Sequence, residues 1–128
     1  MPKIENGVNE QLLDALNSAK TTAHARNAAA YEAAVLAIRG AYTESEIATF
    51  DQQREEVSSV DCPMLTAIAQ ERGMGVDELK QRVLGKITAY SKKMGAAIGR
   101  HRRITQDIEA GETVDAVLAI TADYSDII

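Results

Sequence analysis

An all-α fold is what this 128-residue sequence predicts, and three observations carry that expectation. Alanine fills 21 positions, about one in six, whereas proline occurs only at Pro2 and Pro63. Alanine is the best helix former and proline the worst. Apolar residues recur at three- and four-residue steps along the chain, and no strand pattern can be read. With no tryptophan and one phenylalanine, a core must be aliphatic and alanine-lined. The expected architecture is a helical bundle with a long N-terminal helix and a long heptad-patterned fourth helix.

The first helix is predicted from about Val8 to Ala41. Val8, Leu12, Ala15, Leu16, Ala19 and Ala23 follow the helical period, and nine of the nineteen residues from Ala23 to Ala41 are alanine. At 1.5 Å per residue it would reach roughly 50 Å. A helix of that length gains its stability from packing, and small alanines let a second axis approach closely. Gly40 closes it. Thr43-Glu44-Ser45-Glu46 then reads as a capping box, the Thr43 oxygen accepting from the Glu46 N–H while Glu46 reaches back. The second helix places Ile47, Phe50, Arg54 and Val57 on one face and ends near Ser59. Asp61-Cys62-Pro63 is the next punctuation, with Pro63 suited to a first helical turn. A short third helix, Pro63 to Arg72, stops at Gly73-Met74-Gly75.

The fourth helix, about Asp77 to Ala110, carries the clearest pattern. Val83, Ile87, Tyr90, Met94, Ala97, His101, Ile104 and Ile108 alternate steps of four and three, an a/d seam over nearly four heptads. Gly85, Gly95 and Gly99 interrupt it, each costing about 1 kcal/mol relative to alanine. Gly95 and Gly99 have the small-xxx-small spacing of close helix packing. Gly111 caps this helix, and Thr113 can cap a last short one, Val114 to Ile120. An acidic-apolar tail, Asp123 to Ile128, follows. Residues 1–42 are expected to form an N-terminal alanine-rich helical arm, and 43–128 a helical module with a C-terminal hook.

Charge is unevenly shared. The formal net charge is −5, yet Lys80 to Arg103 holds eight basic residues and no acid, which leaves −13 for the rest. At 100° per residue, Arg82, Lys86, Lys93 and Arg100 form a basic stripe away from the seam. The acids gather in the second helix (Glu44, Glu46, Asp51, Glu55, Glu56) and near the C-terminus (Asp107, Glu109, Glu112, Asp115). The stripe suits a solvated face, an acidic protein partner or a neighbouring subunit. Nucleic acid is the weaker choice, because the overall field repels phosphates and only Tyr90 could stack on a base.

Several classes drop out. One cysteine, Cys62, can make no internal disulfide and no cysteine-based zinc site. No apolar run approaches the roughly 18–20 residues of a membrane span, and the N-terminus has no apolar signal-peptide core. The expectation is a soluble, unsecreted protein of a reducing compartment. His24 has no second histidine at metal-pair spacing, and His101 lies on the seam beside Arg100, Arg102 and Arg103, which disfavour its protonation. Cys62 lacks a histidine nearby in sequence and reads as buried. Adjacent Glu55 and Glu56 point in different directions and suggest no acid–base pair. No phosphate-binding, nucleophile-elbow or zinc-protease motif is present. The sequence therefore predicts no enzyme, no cofactor and no metal.

Leu65 to Met74, followed by Val76 to Leu79 and Val83, reads as a helix-turn-helix corner. Ala69, Gly73 and Leu79 satisfy the tight turn and the packing between the helices. As a DNA reader the corner is compromised by Asp77 and Glu78, which stand where base- or phosphate-contacting groups belong.

Taken together, Tyr42-Thr43-Glu44, Gln53, Glu55-Glu56, Pro63 to Met74, Val76 to Leu79, Val83, Lys86, Ala89-Tyr90 and Gly95 to Arg100 resemble a helical module of tailed-phage and prophage tail-gene clusters. In that module a T-x-x-E … Q-x-E helix precedes a proline-started helix ending in Arg-Gly, then a long helix with an Ile-Gly-Lys/Arg element. The resemblance covers about Tyr42 to Ala110. The sequence departs from it at Phe50, where tryptophan is expected, and in the alanine-rich helix before Tyr42. What it implies is a non-enzymatic virion component or tail-assembly accessory, located in the tail or in the host cytoplasm during assembly. Its partners would be other tail proteins or itself, as a homo-oligomer. The seam residues Val83, Ile87, Tyr90 and Met94 and the stripe Arg82, Lys86, Lys93 and Arg100 are the expected protein interface. The alternative is a small DNA-binding regulator using Ala69 to Val83.

Overall fold

The computed structural model describes residues 2–128, with side chains from Asn9 onward. Among the described residues six helices follow one another: α1 (Pro2–Arg39), α2 (Glu44–Ala48), α3 (Phe50–Val57), α4 (Pro63–Arg72), α5 (Val76–Ala110) and α6 (Val114–Leu118). Among the described residues there is no strand, so the all-α class holds, with the long first helix and the long helix after the Gly73 turn. Among the described residues no helix is long and apolar enough to cross a membrane.

The expected second helix is two. Thr49, at φ −107° and ψ 4°, separates α2 from α3. Its hydroxyl bonds back to the Ser45 carbonyl at 2.8 Å and accepts from the Gln53 side chain at 2.7 Å. A threonine offering such local bonds competes with the helical ladder. The capping box forms as expected, Glu46 N donating to Thr43 Oγ1 at 3.1 Å and Thr43 N to Glu46 Oε1 at 3.4 Å.

The contacts divide the chain into two compact units, a central one, Leu36–Gly95, and a terminal one, Met1–Val35 with Ala96–Ile128. This grouping differs from an arm of 1–42 beside a module of 43–128. The described residues of α1 before Leu36 pack with the last third of α5 and the C-terminal hook.

The central unit is built on large side chains. Phe50, Cys62, Leu65, Ala69, Leu79, Val83 and Ile87 form its buried cluster. Tyr42, Phe50 and Tyr90 meet edge-on, with ring centroids 5.2–5.5 Å apart, the arrangement the ring quadrupoles favour. Gly73, the left-handed residue that ends α4 at φ 65°, donates to Gln70 O, and Met74 N donates to Ala69 O. That pairing is a Schellman motif, and it turns the chain into α5.

The N-terminus of α4 is capped from outside. Cys62 occupies the cap position and supplies no side-chain bond. Instead Glu56 of α3, 3 % exposed, accepts from Leu65 N at 3.0 Å with one oxygen and from Gln52 Nε2 at 2.7 Å with the other. The Leu65 amide, followed by Gln52, holds the Glu56 carboxyl below its ordinary pKa.

The terminal unit packs small side chains. Ala19, Ala23 and Ala34 of α1 are buried, as are Ala97, Ile104 and Ile108 of α5. The helices run antiparallel, since Lys20 reaches Glu109 O while Asn27 reaches His101 O. After Ala110 the chain turns so tightly that a Cβ on Gly111 would lie 2.4 Å from Val117 Cγ2. Val117 is fully buried, and Thr113 caps α6 by accepting from Ala116 N at 3.1 Å.

Candidate interaction surface

Much of the inward face of α5 is covered within the chain. Val83 and Ile87 are 7 % and 2 % exposed in the central core, and Ala97, Ile104 and Ile108 are buried in the terminal unit. Tyr90, Met94 and His101 are half-buried. Of the seam residues expected to face a partner, Val83 and Ile87 are buried within the chain and Tyr90 is partly covered. The α2–α4 segment covers the first two, and Tyr42 and Phe50 flank the third.

The basic stripe is partly neutralised from inside. Arg82 pairs with Glu78 one turn away at 2.9 Å, and Lys86 pairs with Glu46 of α2 at 2.8 Å. Lys86 is the leading reason that the Glu46 carboxyl sits below its ordinary pKa. Lys80 donates to Ser59 O at 2.9 Å. Arg100 is held by the C-terminal segment. It pairs with both oxygens of Asp126 and donates to Asp123 O at 3.1 Å. That pair raises the Arg100 pKa and lowers that of Asp126. Lys93 is exposed, and like Lys92, Arg102 and Arg103 it makes no ion pair among the described residues.

The outward face of α5 is smooth. A Cβ placed on Gly85, Gly95 or Gly99 would meet nothing within 4 Å. Gly95 and Gly99 therefore serve no close packing within the chain, contrary to their expected role. At 100° per residue Gly99, Arg102 and Arg103 share this face in the terminal unit, and Gly85, Lys92 and Gly95 in the central one. Around Gly85 the surface is hollowed to about 460 Å³, between Gln81, Leu84, Thr88 and Lys92.

A second open surface belongs to the terminal unit. Leu12, Leu13 and Leu16 of α1 and Val114 of α6 line a groove of about 480 Å³, with Glu112 and Asp115 on its edge. Leu12 and Leu13 are 63 % and 56 % exposed. Glu112 and Asp115 are exposed, and the segments that contain the groove residues, 9–20 and 105–118, hold four further exposed acids, Glu10, Asp14, Asp107 and Glu109. Lys20 is their one basic residue, and it is bound to the Glu109 carbonyl.

Two polar residues passed over in the sequence fix the terminal unit. Asn27, 1 % exposed, donates to His101 O at 3.2 Å and accepts from the Tyr124 hydroxyl at 2.5 Å. Tyr124 is itself buried, and that burial raises its pKa. An asparagine on the inward face of an alanine helix was the available signal. The tail after α6 is thus a pinned strap. His101 packs its ring on Tyr31 at 4.7 Å, His24 is half-buried, and Cys62 is buried beside Thr66 Oγ1 as expected.

No family model, curated protein or solved structure is recognisably similar to this chain.

Proposed function

We propose that the chain is a non-enzymatic structural or assembly protein of a phage tail, working through helix-to-helix contact with itself or another tail protein. The observation that carries this reading is the pair of unmatched surfaces left after the seam is buried. One is an apolar groove edged with acids, and the other is a glycine-smooth, arginine-flanked helix face. Solvated surfaces rarely combine clustered leucines with unneutralised charge of one sign. The tail setting rests on the sequence resemblance over Tyr42 to Ala110. The residues proposed to bind shift accordingly, from the buried Val83 and Ile87 to the exposed side of α5, and exposed Lys93 on its flank remains a candidate.

A second reading, a DNA-binding regulator, is favoured by the Schellman-closed corner between α4 and α5. Against it, Asp77 and Glu78 are exposed in the first turn of the would-be recognition helix. Sedimentation velocity at low salt, with and without a short DNA duplex, separates the readings. The expected result is a species heavier than one chain that leaves the duplex behind. A single chain that co-sediments with duplex, and releases it steeply as salt rises, would overturn the proposal in favour of the regulator.

A further inference from the structure

We infer that the acid-edged groove of the terminal unit receives a second copy of this chain, which docks the outward, basic face of its α5 there. The inference rests on the reading of the chain as an assembly protein and names the two surfaces involved.

Charge selects the occupant. A contact of the groove with itself would set Glu112 and Asp115 against the same two acids, and like charges at an interface cost affinity. In the terminal unit the outward face of α5 offers exposed basic groups. Arg102 and Arg103 flank Gly99 there, with no ion pair of their own among the described residues. Shape agrees with charge. Leu12 and Leu13 stand exposed on α1, while at Gly99 the α5 surface is bare, with nothing within 4 Å of where a Cβ would stand. A glycine in an exposed helix interior is unfavourable, and close approach by a neighbouring copy would account for it.

Groove and basic face are different patches, so the contact is heterologous. Each copy offers one of each, and successive copies close into a ring or continue as a filament. Charges separated by solvent are screened over about 10 Å at 0.1 M salt, so the association weakens as salt rises.

Light scattering on a sizing column tests this with charge reversal. Glu112→Lys/Asp115→Lys and Arg102→Glu/Arg103→Glu should each weaken association by about tenfold or more. Mixing the two variants should restore assembly with the two alternating, because the reversed patches of the two are opposite in sign and so are their intact patches. Leu13→Asp should abolish assembly, and Gly99→Leu should do so while keeping the helical circular-dichroism spectrum. All four substituted patches are exposed, so folding is not at stake. An assembly whose mass none of these changes moves would overturn this inference and leave the assembly reading standing. A single chain at every salt and concentration would overturn the inference and reduce the assembly reading to contact with another protein.

Discussion

The central and terminal units of this chain reach stability by different routes. The central unit buries Phe50, Leu65, Leu79, Val83 and Ile87 and stacks three aromatic rings edge-on. The terminal unit buries mainly alanines, with Ile104, Ile108 and Val117, and is keyed by one polar pair, Asn27 with Tyr124. Large side chains provide apolar area, and their exact partners matter less than their volume. Alanines provide little area, so a unit that relies on them gains specificity from close approach and from hydrogen bonds that cannot be satisfied elsewhere. Substitutions should expose this contrast.

The largest loss is expected in the central unit. Leu65→Ala removes a fully buried side chain and should cost about 2–5 kcal/mol, read from the urea midpoint. Gly111→Ala should cost about 1–3 kcal/mol, since the new methyl would overlap Val117. A crystal structure or amide exchange of that variant should show the α5–α6 turn displaced. An unchanged midpoint would mean that the turn has more room than its geometry indicates.

Next comes the polar key. Tyr124→Phe leaves Asn27 Oδ1 without its donor and should cost about 1–3 kcal/mol. The wild-type chain also has a pH signature here. Because burial raises the Tyr124 pKa above 10.0, the neutral phenol stabilises the fold below about pH 10. That contribution is lost as pH rises through the folded value. Tyr124→Phe should therefore flatten the alkaline limb of a stability–pH curve. The carboxylates behave oppositely. Glu56, Glu46 and Asp126 are lowered, so their contributions hold above the ordinary carboxylate range and fade as pH falls through the folded values. Glu56→Gln, which replaces the charged acceptor of the Leu65 amide, should lower the melting temperature by about 3–5 °C at neutral pH and reduce the acid sensitivity. An identical acid limb in wild type and variant would remove Glu56 from this account.

The smallest effect has the opposite sign. Gly99→Ala meets nothing within 4 Å and should stabilise the folded chain by about 0.5–1 kcal/mol through helix propensity. Measured by thermal melting at dilution, a loss of stability there would mean that Gly99 is packed within its own chain.

What could be read in advance followed the same division. The helices, the Thr43 box, the Gly73 turn and the Thr113 cap were legible because each depends on neighbours in sequence. The seam was legible as a pattern, but periodicity cannot say whether a stripe is covered by the same chain or by another. Val83 and Ile87 turned out to be covered by α2, α3 and α4. Glu56 was passed over because its partner, the Leu65 amide, lies nine residues away across a loop, beyond the reach of a local capping rule. Tyr124 and Asn27 are 97 residues apart, and Arg100 and Asp126 are 26 apart. No spacing rule links such pairs. The groove was invisible for the same reason, since its leucines and its acids come from opposite ends of the chain.

The claim that one copy's groove meets the next copy's α5 is tested most directly by disulfide cross-linking. Leu13→Cys and Gly99→Cys chains, each keeping the buried Cys62, are mixed and oxidised at low salt. The account predicts a covalent dimer containing one chain of each kind, and neither a 13–13 nor a 99–99 product. A 13–13 dimer as the main species would contradict it, because it would place the acidic grooves face to face.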